Sequence, residues 1–265
     1  MRPLRIGIVV ESTGLPLRAA ITQAARMSSA GIQVDAVGEI APDALGETGR
    51  RAFRNLLLSF SQELAALNVP LRNGLDTAEK LQQRLDHIRK VMHLAVDLGT
   101  QRIVLPCPKI PEDATTARAT TMRESLLVLG EYADRLGLVL ALEIGYDSAD
   151  KVKQYLSGFD MGTLKVTYDP ANMLLHGHDP LASLHQLKEY LTHVHARDAR
   201  SASLSRGLQE VPLGAGDIDW MAFTATLQVL EYDGFMVVER DQGEDKLTDV
   251  TNGVKFLRRF ALPAI

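Results

Sequence analysis

The 265-residue sequence has few of the features that mark secreted, membrane-spanning or nucleic-acid-binding proteins. Its single cysteine, Cys107, cannot form an intramolecular disulfide, so nothing indicates an oxidising compartment. The apolar run at residues 6–10 is too short for a signal-peptide core or a membrane span. Acidic residues outnumber basic ones, 33 to 29, which argues against polyanionic partners. We therefore expect a cytoplasmic protein with no membrane and no nucleic-acid partner.

The chain also contains no Ser/Gly-rich linker and no low-complexity tract that would separate two domains. Its composition, 46% apolar and 23% charged, is that of a soluble globular protein with a large core. A length of 265 residues fits an α/β barrel, which needs about 250 residues to close, although length alone also allows two smaller domains. We predict one domain over residues 1–265, compatible with a homo-oligomer.

Short apolar runs rich in branched residues recur along the chain, with helical patterns between them. Such runs are typical of parallel strands that are buried on both faces. Helical periodicity is clear at residues 81–98 and at 116–136, and Asp179 followed by Pro180 is typical of a helix start. The predicted strands cover residues 5–10, 33–37, 68–72, 102–106, 138–144, 164–169, 191–196 and 235–239.

Eight strands that alternate with helices, without a signal for an antiparallel hairpin, predict an α/β protein with a single (β/α)8 TIM barrel. The alternative is an open doubly wound sheet. That fold normally carries a Gly-rich phosphate turn after its first strand, and residues 11–14 lack the required glycine spacing. The closed barrel is therefore the preferred architecture.

Four consecutive predicted strands end in a residue that can bind a metal: Glu143, Asp169, His195 and Glu239. Because the carboxyl ends of barrel strands meet at one rim, these residues are expected to lie together. Each alone could cap a helix or form a surface ion pair, but four strands in succession do not fit that explanation. Three carboxylates would repel one another without a cation. The set favours Mn²⁺, Mg²⁺ or Co²⁺, with Zn²⁺ as a further option.

Five motifs surround or follow these residues: LALEIG, DPAN, HVHARD, GAGDIDW and VVER. Together they resemble the xylose-isomerase-like barrels, which include sugar-phosphate isomerases/epimerases and ketose 3-epimerases. The resemblance is close in the second half of the chain. It implies that the four residues are metal ligands and that His195, rather than His193, is the imidazole ligand. It also implies that Glu143 and Glu239 transfer protons on opposite faces of a substrate, a role that their charges permit.

Three further residues are candidates for substrate binding, each with a structural alternative. Asn172 lies where the related epimerases place a substrate-contacting group, but it could instead cap a loop. His176 is in the loop after the sixth strand and could simply be exposed. Arg197 could bind substrate oxygens or form a rim salt bridge. Trp220 is expected to anchor a loop to a helix, and the Ser/Arg-rich residues 200–206 to form an exposed flexible loop.

These features predict a divalent-metal-dependent isomerase or epimerase acting on a small sugar, sugar phosphate or hydroxy-ketone through an ene-diolate. The alternative is a metal-dependent dehydratase, because the same ene-diolate can expel a β-hydroxyl. An AP-endonuclease-like phosphodiesterase and a non-catalytic sugar-binding barrel are weaker alternatives. The chain differs from the ketose 3-epimerases in that no second glutamate follows Glu143 within reach, and no Gly-rich phosphate loop follows the last two predicted strands.

Overall fold

A computed structural model describes residues 3–201 and 209–261. The strands found there are β1 (Arg5–Val9), β2 (Gly31–Asp35), β3 (Glu63–Asn68), β4 (Arg102–Pro106), β5 (Val139–Glu143), β6 (Leu164–Tyr168), β7 (Leu191–Ala196), β8 (Asp198–Arg200), β9 (Gln209–Val211) and β10 (Phe235–Val238). The α-helices are α1 (Leu17–Arg26), α2 (Glu47–Ser59), α3 (Leu81–Leu98), α4 (Ala117–Leu136), α5 (Ala149–Ser157), α6 (Pro170–Leu175), α7 (Pro180–Gln186), α8 (Trp220–Val229) and α9 (Lys246–Ala261).

All the strands except β8 and β9 pair in parallel into a closed barrel, in the ring order β1-β10-β7-β6-β5-β4-β3-β2. Helices connect successive barrel strands. The prediction of an α/β chain with a single (β/α)8 barrel is therefore confirmed, and the open doubly wound sheet is excluded. Among the described helices, none combines the length and the apolar character that a bilayer crossing requires.

Small and branched side chains fill the interior of the barrel. Ala66, Val104 and Ala141, from three neighbouring strands, pack together. A Cβ atom at Gly31 would lie 2.8 Å from the ring of Phe235, so the aromatic ring inside the barrel requires glycine there. Because alternate strand residues face opposite sides, the remaining strand side chains face the helices and join the main hydrophobic core between strands and helices.

The strands β5, β6, β7 and β10 follow the sequence prediction to within one residue at each end, but β2 and β3 do not. The prediction of a strand at 68–72 is wrong, since β3 covers Glu63–Asn68. Its central Leu-Ala-Ala-Leu segment has the composition of a helix. The alanines are buried inside the barrel, where Ala65 packs with Phe235. Packing therefore overrides local propensity in this strand.

A short antiparallel ribbon, β8–β9, follows β7, although the sequence carries no signal for an antiparallel hairpin. Asp198 pairs with Val211, and Arg200 pairs with Gln209. Strands of three residues are too short to show the alternation of apolar and polar residues that predicts a hairpin. Most of the predicted exposed loop at 200–206, from residue 202 onward, lies outside the described residues.

Asp198 holds the loop that carries the GAGDIDW motif. Its Oδ2 atom accepts hydrogen bonds from Gly214 N (2.8 Å), Gly216 N (3.1 Å) and the indole Nε1 of Trp220 (2.9 Å). Asp198 is 1% exposed, so all three donors depend on one buried carboxylate. Trp220 therefore anchors this loop to the start of α8, as predicted.

Replacing Asp198 with alanine is expected to lower the free energy of unfolding by about 3 kcal/mol, because the buried indole N–H of Trp220 and the backbone N–H groups of Gly214 and Gly216 lose their acceptor. Urea denaturation of the purified variant measures this loss. Asp217→Ala is the matched control, since Asp217 is exposed and its hydrogen-bond donors among residues 3–201 and 209–261 are the backbone and hydroxyl of Ser201. The control is expected to lose less than about 1 kcal/mol. Equal losses in both variants would contradict the assigned role of Asp198.

Candidate metal centre

The four predicted ligands lie together at the carboxyl-terminal rim of the barrel. Glu143 ends β5, Asp169 follows β6, His195 is near the end of β7 and Glu239 follows β10. One ligand atom from each residue lies within 4.8 Å of the others. These four strands are neighbours in the ring, so the ligands occupy one contiguous half of the rim.

His195 contacts both glutamates. Its Nδ1 atom lies 2.8 Å from Glu239 Oε2 and 3.4 Å from Glu143 Oε1. Among the described residues, however, neither His195 Nδ1 nor Glu239 Oε2 has a partner with hydrogen-bond geometry. Buried polar atoms normally have a partner. A proton on His195 or a cation between the two atoms would satisfy both of them.

The two carboxylate oxygens of Asp169 accept hydrogen bonds from different groups, one from a backbone N–H and one from an arginine side chain. Oδ1 accepts a hydrogen bond from Asn172 N at 3.0 Å and so caps α6. Oδ2 accepts one from Arg197 Nη1, also at 3.0 Å. The side chain is fully buried. Asp169 therefore caps a helix and also belongs to the metal cluster.

The charges of the cluster shift one another's protonation. Burial raises the pKa of Asp169 to about 6, against the opposing effect of Arg197. Burial would raise the pKa of Glu143, but His195 and Arg197 lower it overall. Burial would lower the pKa of His195, but Glu239 and Glu143 raise it well above its ordinary value. A proton on His195 therefore supplies the positive charge that these carboxylates attract, and a metal ion would compete with it.

The donor set fits a divalent cation. Three carboxylates and one imidazole can supply oxygen and nitrogen ligands from one space, and such mixed sets bind Mn²⁺, Mg²⁺, Co²⁺ and Zn²⁺. The unpartnered atoms of His195 and Glu239 support this fit, because both belong to the set. The four residues predicted as ligands therefore form a candidate metal centre.

One of the predicted substrate-binding residues, Asn172, contacts this cluster, and another, His176, contacts Asn172. Asn172 donates from Nδ2 to Glu143 Oε1 at 3.3 Å, so it contacts a candidate ligand directly. His176 is exposed, and its Nδ1 lies 2.8 Å from the carbonyl oxygen of Asn172. Its ring packs edge-on against the exposed Tyr146, with the centroids 4.7 Å apart. Substrate contact by Asn172 and His176 stays a prediction.

Arg197, the third predicted substrate-binding residue, is held by ion pairs. Its guanidinium lies 3.0 Å from Asp169, 3.1 Å from Asp241 and 3.5 Å from Glu210. Glu210 belongs to β9 and also pairs with Arg240 at 3.2 Å. Arg197 therefore forms the salt bridges that were the alternative to substrate binding. Through Glu210 these ion pairs also connect the β8–β9 ribbon to the candidate metal centre. Binding of substrate by Arg197 stays a prediction.

Gln33 is a site residue that sequence reasoning missed. Its Oε1 atom lies 2.8 Å from His193 Nε2 and 3.0 Å from His195 Nε2. Gln33 belongs to β2 and is 1% exposed. A glutamine inside a predicted strand carries no metal-binding signal. The alternation of side chains along β2 could have suggested that Gln33 faces the barrel interior, but not that it contacts His195.

A second polar group lies on the opposite half of the rim, at the ends of β1, β2 and β3. Asp35 donates its backbone N–H to Glu11 Oε1 at 2.9 Å, and Asn68 donates from Nδ2 to Asp35 Oδ1 at 2.7 Å. Burial of its carboxyl group, and then the charge of Asp35, raise the pKa of Glu11 to about 7, although the residue as a whole is exposed. The sequence placed Glu11 after a strand but could not connect it to the other two residues.

The chain is therefore a closed (β/α)8 barrel with a candidate metal centre of three carboxylates and one histidine. This centre lies at the carboxyl-terminal rim, where the active sites of such barrels are found. The chain belongs to the xylose isomerase-like TIM barrel family, whose model matches residues 21–260. The resemblance that the motifs indicate is thereby confirmed.

Curated relatives of this chain include inosose dehydratases. The inosose dehydratase of Geobacillus kaustophilus (strain HTA426) is 26% identical over 228 residues, covering 69% of this chain and 73% of that protein. The inosose dehydratase of Bacillus velezensis (strain DSM 23117 / BGSC 10A6 / LMG 26770 / FZB42) is 25% identical over 240 residues, covering 80% of this chain and 78% of that protein.

Solved structures share the fold across nearly the whole chain. A xylose isomerase domain protein from Planctomyces limnophilus superposes with a TM-score of 0.86 at 22% identity, covering 97% of both chains. The 3-keto-D-glucoside 4-epimerase from E. coli has a TM-score of 0.75 at 19% identity, covering 97% of this chain and 99% of its own. A xylose isomerase-like TIM barrel protein from Mycobacterium smegmatis, in complex with magnesium, has a TM-score of 0.76 at 14% identity, covering 98% and 97%.

Proposed function

We propose that this protein is a divalent-metal-dependent dehydratase that removes a proton next to the carbonyl group of a cyclic keto-polyol or keto-sugar and then expels water. The observation that carries this proposal is the meeting of Glu143, Asp169, His195 and Glu239 at one point of the rim. The proposed cation is Mn²⁺, Mg²⁺, Co²⁺ or Zn²⁺, and the proposed partner is a small carbohydrate-like substrate. Isomerisation or epimerisation through the same ene-diolate is the second candidate.

A divalent cation held by these four residues would stabilise the negative charge of an ene-diolate. Glu143 is the proposed base. Burial opposes its ionisation, but His195 and Arg197 lower its pKa overall, so it is ionised at neutral pH. Asn172 orients this carboxylate through the bond to Oε1. Glu143 can therefore accept the proton from the substrate carbon.

Glu239 is the proposed second proton-transfer group. Glu239 follows β10, and strands β7 and β6 separate β10 from β5, which ends in Glu143. A substrate between the two glutamates would therefore present different sides to them. In a dehydration, Glu239 would give a proton to the departing hydroxyl. In an epimerisation, it would return one to the carbon.

The choice between the two reactions rests on the relatives and on a motif. Relatives at 25–26% identity are inosose dehydratases, and an inosose is a cyclic polyhydroxy ketone. The second glutamate expected by resemblance to ketose 3-epimerases is missing after Glu143. Both facts favour dehydration. The fold shared with a 3-keto-D-glucoside 4-epimerase supports epimerisation as the second candidate.

Product mass separates the candidates. We expect that the Mn²⁺-loaded protein, incubated with a panel of cyclic polyhydroxy ketones and ketoses, converts at least one cyclic ketone to a product lighter by one water. Mass spectrometry and NMR of the products measure this. A product of unchanged mass with inverted or moved hydroxyl groups would replace dehydration by epimerisation or isomerisation. No turnover, together with thermal stabilisation by the ligands, would point to a sugar-binding protein.

A further inference from the structure

The interior of the barrel below the metal centre contains a three-residue hydrogen-bonded group formed by Gln33, His193 and His195. The oxygen Oε1 of Gln33 is 2.8 Å from His193 Nε2 and 3.0 Å from His195 Nε2. All three residues are at most 1% exposed. Strands β1 and β10 separate β2 from β7 in the ring. Gln33 therefore reaches the histidines through the interior rather than along a strand pair.

The strands place these side chains inward for a structural reason. In β7, His193 and His195 are two residues apart and share one face. The pairing of β2 with β3 shifts register between Ile32 and Gln33, and the pairing of β6 with β7 shifts at Val166/Thr167, where Thr167 pairs with His193. Such irregularities redirect side chains near functional sites. Gln33 therefore lies at the irregularity in β2–β3 pairing, and His193 lies at the one in β6–β7 pairing.

A carbonyl oxygen can only accept, so each Nε2 atom that bonds to Gln33 Oε1 must carry a hydrogen. A neutral imidazole with its hydrogen on Nε2 has a lone pair on Nδ1. In His195, Nδ1 is the atom that faces Glu143 and Glu239. The bond to Gln33 therefore leaves on His195 the lone pair that a metal ion requires.

The reverse orientation of the Gln33 amide would have a different consequence. The NH₂ group would then face both Nε2 atoms and place the histidine hydrogens on Nδ1. His193 Nδ1 is buried and has no hydrogen-bond partner in the described part of the chain. A buried N–H without a partner is rarer and more costly than a buried acceptor without one. His193 therefore favours the orientation in which Gln33 accepts from both rings.

We infer that Gln33 is a positioning residue that keeps the hydrogen of His195 on Nε2 and so presents Nδ1 to the metal ion. Metal-binding histidines generally depend on such an acceptor for their other nitrogen, and its loss typically costs roughly 10- to 100-fold in metal affinity. The same oxygen holds His193, which ties that ring to the amide and keeps it out of the ligand set. This inference rests on the proposed metal site.

Gln33→Met tests the inference, because methionine keeps the approximate length of the side chain and removes the acceptor. We expect the affinity for Mn²⁺, measured by calorimetric titration of metal-free protein, to fall roughly 10- to 100-fold. Gln33→Glu keeps an oxygen acceptor and should retain the wild-type affinity or exceed it. Gln62→Met is the matched control, since Gln62 is a buried glutamine (5% exposed) whose Nε2 donates to Ser29 O at 2.8 Å, before β3 and away from the rim. It should bind Mn²⁺ as the wild type does.

Equal Mn²⁺ affinity of Gln33→Met and wild type would overturn the inference while leaving the metal site intact. So would an equal loss in Gln33→Met and Gln33→Glu, because size rather than the acceptor would then matter. A wild-type protein that binds none of the four metals would overturn the proposed function as well. Nitrogen-15 NMR of wild-type protein loaded with Mg²⁺ or Zn²⁺ needs no variant: we expect a hydrogen on His195 Nε2, and its absence there would overturn the inference even if the variants fail to fold.

Discussion

Asp169→Asn and His195→Ala are each expected to weaken Mn²⁺ binding by roughly 10²-fold or more. Loss of a residue that only hydrogen-bonds to a metal ligand typically costs about 10- to 100-fold in affinity, and these changes alter a proposed ligand itself. Metal binding at the proposed site is also expected to displace a proton, because Glu239 and Glu143 raise the pKa of His195 despite its burial. Affinity should therefore rise with pH until His195 is deprotonated in the metal-free protein. Calorimetric titration of metal-free protein with Mn²⁺ at several pH values measures both effects.

Asp179→Asn is the matched control for Asp169→Asn. Both aspartates cap a short helix that begins with proline, and asparagine can also cap a helix. Asp179 is exposed and does not belong to the metal cluster, so its variant should bind Mn²⁺ with unchanged affinity. Wild-type affinity in both Asp169→Asn and His195→Ala would mean that the metal site lies elsewhere. Full turnover by protein shown to be metal-free would mean that the reaction does not need the site.

Glu143→Gln and Glu239→Gln are each expected to lower turnover by roughly 10²-fold or more at saturating metal, the usual contribution of a positioned general acid or base. Glutamine keeps the size and one oxygen of each side chain but can neither accept a proton, as proposed for Glu143, nor donate one, as proposed for Glu239. In heavy water, the wild-type reaction should place deuterium from solvent on carbon wherever a carbon is reprotonated, whereas a direct hydride shift would leave that carbon unlabelled. Steady-state kinetics and NMR of the product measure these outcomes.

Metal content must be measured for each of these glutamine variants, because both residues are also candidate ligands. Glu112→Gln is the control: Glu112 is exposed, pairs with Lys151 at 2.7 Å, does not belong to the metal cluster and should show wild-type turnover. Variants of Glu143 and Glu239 that both keep their metal and their rate would contradict the assignment of proton transfer to this pair. The chemistry would then belong to other residues of the rim.

The half of the barrel that carries the candidate metal centre could be predicted from the sequence. Strands β5 and β10 are apolar up to their ends, and each strand of this half leads to a residue whose chemistry is visible without its neighbours, as at Glu143 and Asp169. The closed topology then determines that such residues meet at one rim. The family resemblance added the choice of His195 over His193.

The remaining features depend on contacts between distant parts of the chain. Gln33 and His193 are 160 residues apart, so neither residue type nor spacing could connect them. The alanine-rich β3 is a strand because the barrel interior needs small side chains there, not because alanine favours strands. The β8–β9 ribbon depends on pairings such as that of Asp198 with Val211, within strands too short to leave a pattern.

The ring order places the ligand-bearing strands β5, β6, β7 and β10 on one semicircle and β1 to β4 on the other. Glu11, Asp35 and Asn68 therefore belong to a wall that supplies no ligand. If the proposed function is correct, the loops of one semicircle can change to fit new substrates while the other semicircle keeps the proposed metal ligands unchanged. A library restricted to the loops after β1, β2 and β3 would explore substrate range without dismantling the reaction centre.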